Sequence, residues 1–224
     1  MSNAVAPPMG TLLKRWSALL VAVIVAIVVF AWFFPLFHII RLDDFEKVRQ
    51  QTTFDATARA QEFWQKQLLP AVDRAADVQV VLAMAAADPK QVRKTFGHTV
   101  GDSRAYYLFL RGIGTVAAIE ADAVVVEVEG DQPKKIRLET GPLFGNTVRD
   151  SAGLLNPSEF SNSQQMNDLS IALNKIVETK VISEVKTAKV GDRVQFVGGA
   201  AIKNETKDFQ ELSIVPIKII TENK

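Results

Sequence analysis

The strongest pattern in the chain is one unbroken apolar run. No Asp, Glu, Lys or Arg falls between Trp16 and Ile40. As a helix, that stretch measures about 37 Å, against about 30 Å for the hydrocarbon core of a bilayer. Fourteen of positions 18–37 are Leu, Ile, Val or Phe, and each favours insertion by about 0.4 kcal/mol. The run is apolar on every side, which predicts a transmembrane helix over 16–40 rather than a buried helix of a soluble domain. It is longer than the core of a cleaved signal and ends in Phe-Pro-Leu-Phe-His-Ile-Ile, which offers no small-x-small cleavage site. Lys14 and Arg15 precede it, while Arg41, Lys47, Arg49 and Arg59 follow. A bare count of basic residues favours one orientation. The order of basic tail, long apolar run and folded domain favours the other, that of a signal anchor. We expect a cytoplasmic tail at 1–15 and a domain outside the cytoplasm.

Beyond the anchor, the periodicity changes twice. Residues 41–103 read as a helical segment. Phe54, Ala58, Phe63, Trp64, Leu68 and Leu69 mark its apolar stripe, Asp88-Pro89 is a helix start and Gly97 is a stop. From 104 the period shortens. A long strand runs from Ala105 to Ile119, interrupted by Gly112 and Gly114. Over Ala123–Glu129 the alternation becomes clean late on, with Val124, Val126 and Val128 on one face and Glu127 and Glu129 on the other. Lys135–Glu139 alternates again after the Gly130–Pro133 turn, with Ile136 and Leu138 inward. A helix at 161–181 follows, opened by a Ser161-x-x-Gln164 capping box. Strands over Arg193–Val197 and Leu212–Ile220 close the chain, with Pro216 demanding a free edge or a bulge.

The order β-β-β-α-β-β, with glycines bending a long first strand, predicts an α+β chain. Its 104–224 portion is expected to form a small OB-like antiparallel β-barrel, with the helix closing one end. An open antiparallel sheet is the alternative.

Composition removes several chemistries. The 224 residues contain no Cys, which excludes disulfides, thiolate metal sites, a Cys nucleophile and a thioether-linked lipid. The formal net charge is +1, so there is no electrostatic footprint for nucleic acid. No metal or cofactor is expected. His98 is the one His beyond the apolar run and follows a helix stop. Gly112-Ile113-Gly114 lacks the third glycine of a dinucleotide fingerprint. No enzyme activity is expected.

Thr140-Gly-Pro-Leu-Phe-Gly-Asn-Thr-Val-Arg-Asp150, followed by Phe160-Ser-Asn-Ser-Gln164, resembles an uncharacterised bacterial family of predicted periplasmic lipoproteins. Phe63-Trp64, Leu68-Leu69-Pro70 and Val190-Gly191-Asp192 share the resemblance. It implies a periplasmic domain tethered to the inner membrane, and an association with sugar uptake by ABC transporters, whose genes often lie beside those of relatives. Without Cys, residues 16–40 must supply the tether. No catalytic residue is carried over.

Candidate ligand-binding groups are Phe144, Asn146, Arg149 and Asp150, an aromatic ring with planar polar groups, together with Asn162 and Gln164 at a helix start. A structural loop and ordinary capping account for the same residues. Tyr106 and Tyr107 fall on opposite faces of the first strand, so at least one is expected in the core. Two functions follow. One is a membrane-anchored, non-enzymatic accessory protein whose partner is a sugar ABC transporter or its binding protein. The other is a periplasmic module that binds a sugar or polyol.

Overall fold

The computed structural model describes residues 21–26, 30, 54–101, 104–130 and 133–222. Residues 21–26 and Phe30 are helical, with exposed side chains. The rest of the expected span, the tail at 1–15 and residues 41–53 lie outside the described residues. Among those described, no helix is long and apolar enough to cross a membrane.

Residues from Phe54 onward form one compact unit. Its helices are α1 (Ala56–Phe63), α2 (Val78–Ala87), α3 (Pro89–Phe96), α4 (Thr147–Asp150), α5 (Ser163–Ile176), α6 (Ile182–Val185) and α7 (Glu205–Asp208). A π-turn, Val177–Val181, joins α5 to α6. The strands are β1 (Ala76–Asp77), β2 (Tyr106–Ile119), β3 (Ala123–Val128), β4 (Lys134–Glu139), β5 (Arg193–Ile202) and β6 (Ser213–Glu222).

The sheet closes on itself. Its order is β1-β2-β3-β4-β6-β5, and β5 returns to β2. This is the OB-like barrel, and the long strand does the closing. Tyr106–Thr115 pairs with β5, while Gly114–Ile119 pairs with β3. The handover requires glycine. A Cβ on Gly114 would lie 2.4 Å from the Glu127 carbonyl oxygen, and one on Gly112 2.6 Å from the Phe196 ring. Where the barrel closes between β4 and β6 the strands run parallel, at Arg137↔Ser213 and Leu138↔Ile214. The two-residue β1, parallel to β2, was too short to show as a pattern.

Alternation fills the barrel as the sequence implies. Leu108, Leu110, Val116, Val124, Val126, Val128, Ile136, Leu138, Val194 and Phe196 point inward and are buried. Strand β6 changes phase. Ile214 is inside, but so are Ile217 and Ile219, because the register slips where Pro216 faces Gly198. That slip is the bulge Pro216 demanded. Both Tyr106 and Tyr107 are buried, so the second face of β2 is covered at this end too. Strand β5 runs five residues past Val197, through Gly198-Gly199-Ala200-Ala201, a stretch without side-chain alternation to reveal it. Gly199 is where α4 sits down: a Cβ there would lie 2.6 Å from Ser151 Oγ.

The first helices are part of this body. Phe63, Trp64, Leu68, Val78, Val81 and Leu82 join the same core as the barrel strands. Helix α1 packs along α5, and Phe54 meets Phe160 edge-on at 5.8 Å. Asp88 accepts from the Lys90 amide to start α3, with Pro89 in its first turn. On α5 the capping differs by one residue from the expected box. Asn162 is the N-cap and accepts from the Gln165 amide, while Gln165 Oε1 accepts from the Ser161 amide.

Candidate functional site

The segment that leaves β4 is pinned residue by residue to α5. It begins with the amides of Thr140 and Gly141 donating to the Asp122 carbonyl at 2.7 and 3.1 Å. The Leu143 amide then donates to Glu178 Oε1 at 3.0 Å. Asn174 Nδ2 donates to the Gly145 carbonyl at 3.0 Å, and Gly145 takes the left-handed backbone at φ +78 that favours glycine. Arg149 Nη1 donates to the Met166 carbonyl at 2.9 Å and to Ser170 Oγ at 3.0 Å. The partners on α5 and the turn after it are therefore 166, 170, 174 and 178, one face of a helix at a spacing of four.

Two of the expected site residues close this clamp. Arg149 donates from Nε to Asp150 Oδ1 at 2.6 Å and from Nη2 to Asp150 Oδ2 at 2.8 Å. Asn146 Nδ2 donates to the same Oδ2 at 2.8 Å. The Asp150 side chain is 0% exposed and that of Arg149 7%. Tyr107 packs close by. Its phenol is pushed up by burial first and then by the charge of Asp150.

The structure brings Asn146, Arg149 and Asp150 together, but their polar groups face one another and α5. Asn162 caps α5, and Gln164 Nε2 donates to Asp168 Oδ1 at 2.8 Å, along the helix. Phe144 is the exception. A purely structural loop would use such a ring to plug the barrel. Leu143 is the residue that turns inward, and Phe144 stands 86% exposed. Beside it Ile171 of α5 is 60% exposed. The two line a groove of about 830 Å³ between α1 and α5, with Ala56, Gln61, Ala172 and Lys175. Ile171, Ser170 and Asn174 were not singled out from sequence. The signal that would have found the last two is a polar residue recurring every fourth position through an otherwise apolar helix face.

Two other surfaces differ in character. On the outside of β3 and β4, the face OB folds commonly use for ligands, Arg137 pairs with Glu120, with Asp122 at 3.1 Å and with Glu211 at 3.7 Å. On the outside of β2, β5 and β6 a shallow hollow of about 480 Å³ holds Arg111, Gln195 and Lys218. His98 packs its ring on Gly153, and its pKa is lowered by burial and then by Arg74. Tyr106 is pushed up to about 12 by burial and then by Glu205. Among the described residues no group of three or more His, Asp or Glu could hold a metal ion.

Comparison with known proteins bears on the fold and the family. No curated protein matches the chain. The crystal structure of an OB-fold protein from Thermotoga maritima aligns with a TM-score of 0.67 at 24% identity, covering 76% of this chain and 100% of that one. At that identity the likeness speaks for the fold alone, and it agrees with the closed barrel traced strand by strand above. The family described as "Predicted periplasmic lipoprotein (DUF2291)" matches residues 24–220, which span the barrel, the clamp and the helices around them. The chain belongs to that family of predicted periplasmic lipoproteins.

Proposed function

We propose that this is a membrane-tethered, non-enzymatic periplasmic protein that works by holding a partner protein. The observation that carries the reading is the division of labour in residues 143–150. Every polar side chain there that the sequence offered to a ligand is spent inside the clamp, and the clamp fixes an aromatic ring in the open. A rigidly presented aromatic beside an exposed aliphatic residue is the composition of a protein–protein anchor point, where ordering costs little on binding. A sugar or polyol would have to break buried charge-assisted hydrogen bonds to reach Asn146, Arg149 or Asp150, which disfavours that alternative.

The tether in this reading is residues 16–40, since no Cys is present to carry lipid. The partner class implied by the resemblance is a sugar ABC transporter or its binding protein. Two measurements test the proposal. The intact protein should stay with membranes after a carbonate wash, with a C-terminal alkaline phosphatase fusion active. Pull-down from mild detergent should retrieve a transport component with the parent chain and lose it with Phe144→Ser. Retrieval unaffected by that change would remove the assigned surface, and protection of the chain by sugars in a thermal-shift screen would favour ligand binding instead.

A further inference from the structure

The exposed face of α5 carries the same pattern from either end. Ile171 and Ala172 sit at its middle. Asp168 lies one turn before and Lys175 one turn after, opposite in charge and equidistant from the point between the two. If a second α5 crosses antiparallel at that point, a twofold axis sets Asp168 of each copy against Lys175 of the other. Such a pairing must use one patch on both copies, with a knob and a hole in the same patch. This surface has both: Phe144 stands beside the groove between α1 and α5, and Ala172 leaves room for close helix approach. Within its own copy each charge has only a surface partner. Asp168 accepts from Gln164, and Lys175 is 3.8 Å from Glu178 with its side chain largely in water.

From this we infer that two copies of the chain pair through α5, antiparallel about an axis between Ile171 and Ala172, with Phe144 of each seated in the groove of the other. The inference names a second copy as an occupant of the surface proposed above. The patch is short, and copies confined to one membrane would meet at high effective concentration; that clause rests on the tethering reading.

The lack of Cys makes the test clean, because a single introduced Cys is the only thiol. Full-length Ile171→Cys, treated in membranes and in mild detergent with a short bis-maleimide, should give a covalent dimer. Val190→Cys, exposed on another loop, should give none. Asp168→Lys or Lys175→Asp, each added to Ile171→Cys, should cut the yield at least tenfold, and the two together should restore it. Absence of the Ile171→Cys product, or a yield indifferent to the single reversals, overturns the pairing. So does a dimer that persists by light scattering in Ile171→Glu, since the contact then lies elsewhere. Failure of the tether would show separately, as protein recovered in the soluble fraction that still cross-links at Ile171→Cys.

Discussion

Arg149 folds its guanidinium back onto the carboxylate of its own neighbour, Asp150, in two hydrogen bonds of 2.6 and 2.8 Å. Adjacent residues rarely have the geometry to pair this way, and here both side chains are buried. Neither can be removed alone without stranding the other's charge away from water. Asp150→Ala should therefore cost about 3–5 kcal/mol of stability. The double change Arg149→Met, Asp150→Leu should cost clearly less, because no charge is left behind. Urea unfolding of the variants decides it, and equal losses in the single and double variants would contradict the argument.

Leu143 and Phe144 are neighbours with opposite fates. At concentrations low enough to keep the copies apart, Phe144→Ser should move stability by no more than about 0.5 kcal/mol, as for a surface site away from packing within its own copy. Leu143→Ala should cost about 2–4 kcal/mol by opening a cavity. Thermal unfolding of the separated copies compares the two directly, and a large loss in Phe144→Ser there would mean the ring packs within its own copy.

The seam at Gly114 can be tested by adding one carbon. Gly114→Ala places a methyl 2.4 Å from the Glu127 carbonyl, so β2 and β3 must separate. We expect a loss of about 1–3 kcal/mol and faster amide exchange along Val124–Val128 than along β5. Uniform exchange in both would argue against a local opening.

His98 should make stability depend on pH. Its pKa is held below the usual 6.5, by burial first and by Arg74 second. The unfolded chain then binds the proton more readily than the folded one. Its contribution is whole above about the ordinary value and is lost as pH falls from there through the lower folded value. Unfolding followed from pH 7.5 down should show that decline, and His98→Gln should flatten it. An unchanged slope would assign the decline to other groups.

Much of the architecture was legible because it rests on period and on breakers. The valines of β3, the bent glycines of β2 and Pro216 each state a local geometry, and together they specify a barrel closed by its first strand. What escaped notice had no periodic signature. The parallel β4–β6 seam is a long-range pairing, β1 has two residues, and the second half of β5 is built from Gly and Ala chosen for close approach. At the candidate site, the type of Asn146, Arg149 and Asp150 was plain but their direction was not. A guanidinium beside a carboxylate reads the same whether it faces a ligand or a helix. The answer lay about twenty residues on, in Ser170 and Asn174, polar groups buried on α5 that only the tertiary fold brings opposite.

The slip at Pro216 makes β6 a strand written in two frames. Up to Ile214 the even positions are oily and inward; from Ile217 the odd ones are. Ile217 is the extra residue between them: Pro216 faces Gly198 and Lys218 faces Val197, while Ile217 stands outside the pairing. Dropping that one codon would splice the two frames into one, leaving Lys218 outward and Ile219 inward, and would take away only the bend and the buried side chain of Ile217.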